Sequence, residues 1–263
     1  MESNVVQRWA GGRASYRPAG EPIKTADFEV AEILDDKTAR AYVTSNHYSR
    51  SYPAARFRFG LFHGAHLAGV AVFSVPVNDA ALKVLPGAGL ERAELGRFVL
   101  DDQVPANGES WFLARCFELL RAKGMTGILS MSDPVPRSSS DGITVFPGHV
   151  GTIYQATNAV YLGRATPRTL RVLPDGTILN ARSLQKLRAR ERGWRYVADL
   201  LVARGADPLP EGPTTDWLQT WIPKLTRPVR HPGNHRYAWA LNKRDRHHLP
   251  ASLAYPKFHG VAA

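Results

Sequence analysis

The residues best suited to chemistry gather where strands should end. Asp133 closes the apolar run Gly127 to Met131 and precedes Pro134. A carboxylate there faces the crevice in which open α/β sheets bind ligands. Arg97, in Glu94-Leu-Gly-Arg97-Phe-Val-Leu100, offers either a structural salt bridge or a contact to a phosphate or carboxylate. Asn107-Gly-Glu-Ser110 opens an amphipathic helix whose free amide groups suit a phosphate or an acyl carrier, with Glu109 opposing dense negative charge. Asn46-His47-Tyr48-Ser49-Arg50 is a polar cluster just after a helix; on composition alone it is as much a surface loop as a site. The lone cysteine, Cys116, falls on the apolar side of its helix and reads as core packing.

These groups need a framework to bring them together. Lys37 to Asn46 reads as a short helix capped by Asp35 or Asp36. Arg56 to Phe62 alternates as a half-buried strand does, and with Leu67 to Val75 it predicts an antiparallel hairpin. Glu94 to Leu100 is the central strand, and Gly96 within it breaks a side-chain row and permits close backbone approach by a ligand. Ser110 to Lys123 is a helix ended by Gly124. Pro134 to Pro147, rich in serine and proline, reads as a mobile insert able to close over the site. Gly151 to Asn158 is a short helix, and Leu170 to Leu179 closes a hairpin through Asp175-Gly176. Gly193 divides the helical region Ser183 to Arg204. The fold class is therefore α/β in the α+β sense: a mixed, mostly antiparallel central sheet flanked by helices, with a basic helical extension.

Charge divides the chain unevenly. The net charge is +11, and residues 183–263 carry 14 Lys/Arg against 6 Asp/Glu, a net of +8 that leaves +3 for the first 182. Such a balance favours a polyanion, because Lys and Arg displace counterions from phosphates. We read 1–25 as a flexible arm, 26–182 as the catalytic domain and 183–263 as a DNA-contacting extension. Arg188, Arg192, Arg230, Arg236, Lys243 and Arg244 are its candidate contacts. The absence of an apolar run near ~20 residues argues against a membrane span. One cysteine and no secretory signal fit a cytoplasmic protein.

Over residues 25–182 the order of elements resembles the GNAT acyltransferase superfamily, especially at Tyr154-Gln-Ala-Thr-Asn158-Ala-Val-Tyr161-Leu-Gly163. Where that superfamily has a glycine-rich diphosphate loop, this chain has Asp101-Asp-Gln-Val-Pro-Ala-Asn-Gly108, whose two carboxylates repel phosphates. A closer resemblance is to the Mom family of phage adenine-modification proteins. It rests on Asn46-His47-Tyr48-Ser49, Glu94-Leu-Gly-Arg97-Phe-Val-Leu, Asn107-Gly-Glu-Ser110, Ser130-Met-Ser-Asp133-Pro134 and Gly148-His149-Val-Gly-Thr-Ile-Tyr154-Gln-Ala-Thr-Asn158.

The resemblance implies transfer of a carbamoylmethyl-type group to adenine N6 in double-stranded DNA in a bacterial host, protecting phage or mobile-element DNA from restriction. It gives catalytic roles to His47, Tyr48, Asp133 and Tyr154, and binding roles to Arg97, Ser110, Asn107, His149 and Asn158. It also implies an acyl-coenzyme A donor and iron, for which His47, Asp133 and Tyr154 are suitable ligand types that only geometry can unite. In this scheme Asp133 or His47 takes the N6 proton, Tyr154 protonates the leaving group, and Arg97 holds an anion bidentately. Tyr48, Tyr52 or Phe146 stacks on an extruded base. Three other readings compete: acyl transfer to another amine, a DNA-binding protein without activity, and a nuclease.

Overall fold

The computed structural model describes residues 5–10, 13–75 and 79–257. Its first elements are strands β1 (Val5–Ala10), β2 (Arg13–Pro18) and β3 (Phe28–Glu32), helix α1 (Asp36–Asn46), and strands β4 (Ala55–His63), β5 (His66–Ser74) and β6 (Arg92–Leu100). Helix α2 (Gly108–Ala122) and strands β7 (Gly127–Ser132), β8 (Arg137–Ser138) and β9 (Thr144–Phe146) follow. Then come α3 (Thr152–Ala156), β10 (Val160–Arg164), β11 (Arg168–Val172) and β12 (Ile178–Leu179). The last elements are α4 (Ala181–Ala189), α5 (Arg195–Val202), α6 (Thr215–Leu225), β13 (Arg227–His231) and β14 (His235–Ala240). They fall into two compact units. The first comprises Met1–Pro134, His149–Ala165 and Asn234–Ala263; the second comprises Val135–Gly148 and Thr166–Gly233.

The first unit is built on a seven-stranded sheet in the order β10-β14-β7-β6-β5-β4-β3. Only β6 and β7 run parallel, so the expected mixed, mostly antiparallel sheet is what the chain forms. Alternation along β5 sends Ala71 and Phe73 to one face, against Phe112, Cys116 and Leu120 of α2. Val70 and Val72 go to the other face, against Ala39 and Val43 of α1. Asp35 caps α1, accepting from the amides of Lys37 at 2.9 Å and Thr38 at 2.8 Å. Burying the Cys116 thiol pushes its pKa well up, as suits an inert core residue.

A single extra residue reorients β6. Pairing with β5 sets Leu95 opposite Phe73 but Arg97 opposite Val72, which leaves Gly96 as an unpaired bulge. Ala93 and Leu95 face α2, yet beyond the bulge Leu100 does so and Val99 packs on the α1 side. The same shift puts Glu94 and Arg97 on one face although they are three residues apart. A side chain at position 96 would place its Cβ 2.6 Å from Ser74 Oγ.

Three expectations about domain organisation give way. Residues 5–10 and 13–18 pair as the antiparallel strands β1 and β2 rather than lying in a flexible arm. The Arg8 guanidinium is buried, ion-paired to Glu109 at 2.8 Å and donating to the carbonyls of Asp101, Val104 and Pro105. Pro134 to Pro147 is not a lid: it contributes the β8–β9 pair to the second unit, with Arg137 buried 4.2 Å over the Phe146 ring. The boundary expected at 182 moves as well. Residues 234–257 return to the first unit, where β14 lies between β10 and β7. Tyr237 and Trp239 are core residues there, since a central strand of a covered sheet buries both faces.

The second unit pairs a three-stranded sheet, order β12-β11-β13, with α4, α5 and α6. Leu187 and Leu201 are fully buried in its core beside Trp217 and Leu218. Each such leucine contributes about 1.5–3 kcal/mol. Gly176, at φ +80°, makes the tight turn of the expected 170–179 hairpin, and Gly193, also at φ +80°, separates α4 from α5 as the sequence indicates. Among the described residues no helix is long and apolar enough to cross a membrane.

Candidate functional site

The parallel pair β6–β7 holds only as far as Leu95 and Ser130, although β6 runs on to Leu100. Around this point the first unit collects aromatic rings and ionisable groups. His47, just past α1, stacks on Tyr48 with ring centroids 4.1 Å apart. Tyr48 meets His149 edge-on at 5.9 Å, and His149 meets Tyr154 at 6.5 Å. Tyr154 in turn touches Tyr237 at 5.3 Å and Trp239 at 5.5 Å, and Tyr237 leads to Tyr161. Tyr161 Oη lies 2.7 Å from Nδ1 of the buried His235.

Local backbone features make this packing possible. Gly151 adopts φ +74°, and a Cβ there would lie 2.7 Å from the Tyr154 ring and 2.8 Å from that of Tyr237. The Asp133 carbonyl accepts the His149 amide at 2.8 Å, so the end of β7 and the start of the α3 segment are fastened together. His47 and Tyr154 are thus linked through Tyr48 and His149, and the main chain of Asp133 is fastened to the same segment.

The electrostatics assign different capacities to these groups. His47 Nδ1 accepts the Ser49 amide at 3.1 Å, and the Ser49 hydroxyl lies 2.9 Å away. The ring proton of the neutral imidazole therefore sits on Nε2. Burial, reinforced by Arg97 and His149, holds the His47 pKa well below its ordinary value. A ring so fixed has its Nε2–H available to donate, and the lowered pKa weakens it as the base expected from the sequence.

The stronger base candidate is Glu94, a residue the sequence analysis quoted without assigning a role. Burial raises its pKa, and Arg97 opposes the rise. Burial also raises the pKa of Tyr154, with Glu94 adding to the effect against the Ser130 hydrogen bond and Arg97. The phenol consequently keeps its proton. One cluster therefore holds a carboxyl group tuned toward neutrality and a phenol able to donate. The detectable signal for Glu94 was a lone acid inside an apolar strand, two residues before a glycine.

Arg97 does not present an open fork. Its Nε donates to the Ser51 carbonyl at 2.8 Å, Nη2 to the Ser51 hydroxyl at 2.7 Å, and Nη1 to the Gly96 carbonyl. It fastens the 47–53 loop to β6 and supplies charge. At the start of α2, Ser110 Oγ donates to the Asn107 carbonyl at 3.1 Å. The amides leading into α2 are taken: Ala106 N–H donates to the Glu21 carboxylate at 3.2 Å, Asn107 N–H to the Glu21 carbonyl at 3.1 Å and Gly108 N–H to the Pro105 carbonyl at 2.9 Å. Asn158, at φ +58°, ends α3 as a left-handed turn residue and stands exposed. The proposed stacking residues Tyr52 and Phe146 are engaged elsewhere, Tyr52 with Asp36 at 2.9 Å and Phe146 under Arg137.

Nothing supports the iron expectation: His47 Nδ1 is engaged by the Ser49 amide, and the Arg97 charge acts on both His47 and Tyr154. Among the described residues no group of three His, Cys, Asp or Glu is arranged to hold a metal ion.

Comparisons with known proteins bear on what this arrangement serves. No curated protein matches the chain. Among solved structures, an acetyltransferase from Bacillus subtilis in complex with CoA is 10% identical, with TM-score 0.35, covering 82% of this chain and 98% of that one. A tandem GNAT protein from the clavulanic acid biosynthesis pathway is 15% identical, with TM-score 0.36, over 56% of this chain and 48% of that one, about half its length. A ribosomal-protein alanine N-acetyltransferase from Escherichia coli is 15% identical, with TM-score 0.33, over 57% and 88%. The family model of the Mom proteins matches residues 27–257. That span runs through both units and nearly the whole chain: the protein belongs to the Mom protein family.

Proposed function

We propose that this chain is a DNA-modifying transferase that attaches a carbamoylmethyl-type group to adenine N6, shielding phage or mobile-element DNA from restriction. The observation that carries the reading is the coupled Glu94–Arg97–Tyr154 cluster within a member of the Mom family. Adenine N6 is a weak nucleophile because its lone pair is delocalised into the ring, so transfer needs a base and a protonated leaving group. In the proposed step N6 forms a bond to the activated carbon of the donor, and Glu94 takes the proton that N6 loses. The bond from that carbon to the leaving group breaks, and Tyr154 gives the leaving group its proton. Arg97 keeps Glu94 from becoming permanently protonated, and the Nε2–H of His47 is a fixed donor for a substrate carbonyl. Asp133, fastened to His149 through its carbonyl, is kept as a second candidate for the base. Reaching N6 requires an extruded base, at a few kcal/mol, and Tyr48 offers it a ring.

For the donor we propose an acyl-coenzyme A of the aminoacetyl type. N6 bonds to its thioester carbonyl, and the coenzyme A thiol leaves with the Tyr154 proton. The N6-acyl adduct so formed is an isomer of the carbamoylmethyl group and becomes it by a later rearrangement. The carboxylates of Asp101 and Asp102, and the amides of Ala106 and Asn107 already bonded to Glu21, argue that the donor's diphosphate is held elsewhere than at residues 101–107. Mass spectrometry of nucleosides from cells expressing the chain, against an empty-vector control, tests the reading. The expected result is a new N6-substituted deoxyadenosine that disappears with Tyr154→Phe, Glu94→Gln or Asp133→Ala. DNA without the adduct from cells making folded protein would refute it.

A further inference from the structure

We propose that the second unit grips duplex DNA by its phosphates, through a groove between α4, α6 and β11 anchored by Arg171 and Arg188. The proposal rests on DNA being the substrate, as argued above, and goes on to place the grip. The groove has a volume of about 400 Å³ and is lined by Arg171, Leu184, Arg188, Thr215, Leu218 and Gln219, among others. No carboxylate lines it, and it combines two guanidinium groups with a hydroxyl and an amide above an apolar floor. Guanidinium groups pair bidentately with phosphate oxygens, hydroxyls and amides add neutral hydrogen bonds, and apolar side chains accommodate the sugar.

The basic surface continues on both sides of the groove. The register of β11 with β13 sets Thr169 opposite Arg230 and Arg171 opposite Pro228. Arg171 and Arg230 therefore share a sheet face, the one opposite the buried Leu170 and Val172. Beyond α4 the turn to α5 exposes Arg192 and Arg195. Residues 135–148 and 166–233 together hold 13 Lys/Arg and 7 Asp/Glu, a net of +6 in 82 residues. Two acids of this unit are already matched, Glu191 by Arg182 at 2.5 Å and Asp175 by Arg204. Among the described residues Arg171, Arg188, Arg192 and Arg195 have no acidic partner within 4.0 Å. The neighbouring carboxylates Asp199 and Asp216 do not line the groove.

No aromatic ring lines the groove, so it lacks the stacking platforms by which single strands are held. That favours the regular phosphate rows of a duplex. Trp194, at the α4–α5 turn, is instead enclosed by its own unit, with Arg190 and Arg195 each 5.4 Å from its ring. Arg190 is tied to the carbonyls of Pro210, Glu211 and Gly212 and serves the turn rather than the ligand.

The test measures fluorescence anisotropy of a short labelled duplex with the full chain over a series of salt concentrations. Arg171→Ala with Arg188→Ala should weaken binding roughly tenfold or more and flatten the log–log salt slope by about two contacts' worth. Arg171→Lys with Arg188→Lys keeps the charges and should keep the slope, which separates lost phosphate contacts from a damaged fold. Unchanged affinity and slope in the double alanine variant would overturn the proposal, as would tighter binding of RNA than of duplex DNA by the unaltered chain. Nucleoside mass spectrometry in parallel tells the two readings apart. An adduct with an unchanged slope ends the grip alone; a lost slope without any adduct in the unaltered chain ends the modification reading alone.

Discussion

Buried arginines of the first unit and exposed ones of the second differ in what surrounds them. In the first, Arg8 and Arg97 are turned inward, and carbonyls, a hydroxyl and the Glu109 carboxylate take their donors. In the second, Arg188, Arg192 and Arg230 face solvent. The same side chain is a structural clamp where acceptors surround it and, in our proposal, a handle for a polyanion where none do. Net charge cannot tell these uses apart; the count of acceptors within reach can.

The sharpest way to break this contrast is at the chemistry. Glu94→Gln and Tyr154→Phe should each lower adduct yield by at least about 100-fold, the usual worth of a placed proton-transfer group. The Arg171/Arg188 double alanine variant should keep most of its yield once DNA is saturating. Equal losses in both would mean that the units do not divide the labour.

Next in size is stability. Arg8→Ala removes one partner of a buried ion pair and should cost about 3 kcal/mol, read from chemical denaturation. Arg192→Ala, on an exposed turn, should stay within about 0.5 kcal/mol. Gly96→Ala forces a Cβ against Ser74 and should cost about 1–3 kcal/mol while loosening the alignment of Glu94 with Arg97.

Acidity sharpens the contrast further. The folded Glu94 carboxyl binds its proton more tightly than the unfolded one, so its contribution to stability is present at low pH and fades as pH rises through the raised pKa. Activity runs the other way, because the base form exists only above that pKa. The acid limb of the rate should therefore lie above the ordinary glutamate value of about 4.3. Arg97→Gln, which removes the opposing charge, should move the limb higher still. His47 behaves in the opposite sense: its depressed pKa gives stability that is present above about 6.5 and lost as pH falls further. His47→Gln should flatten that part of the stability profile.

The smallest effect is expected at Arg236, which was a DNA-contact candidate by sequence. Its Nη2 donates to the Leu162 carbonyl at 2.8 Å within the first unit. Arg236→Ala should leave the salt slope of DNA binding within error of the unaltered chain, whereas Lys243→Ala and Arg244→Ala, at exposed positions, should each lower it by at most about one contact.

Much of the framework was legible in the residues themselves. The Asp35 cap, the 55–74 hairpin, the Gly124 and Gly193 breaks and the Asp175-Gly176 turn are local, set by periodicity, side-chain capping and positive φ within a few residues. The motif words around His47, Glu94 and Tyr154 named residues that the fold brings near one another, but not what each does there. What the residues did not disclose lies in long-range pairing. A hairpin at the start of the chain buries Arg8 against the α2 loop, and a strand near its end completes the central sheet with Tyr237 and Trp239. The bulge at Gly96 belongs to the same class, because an unpaired residue has no meaning until a partner strand sets the register. Capping, turn formation and amphipathic spacing act over a few residues and were fixed by sequence alone. The proton affinities of Glu94, His47 and Tyr154, and the employment of Arg97, depend on burial and on neighbours brought from tens of residues away. Only the folded chain decided those.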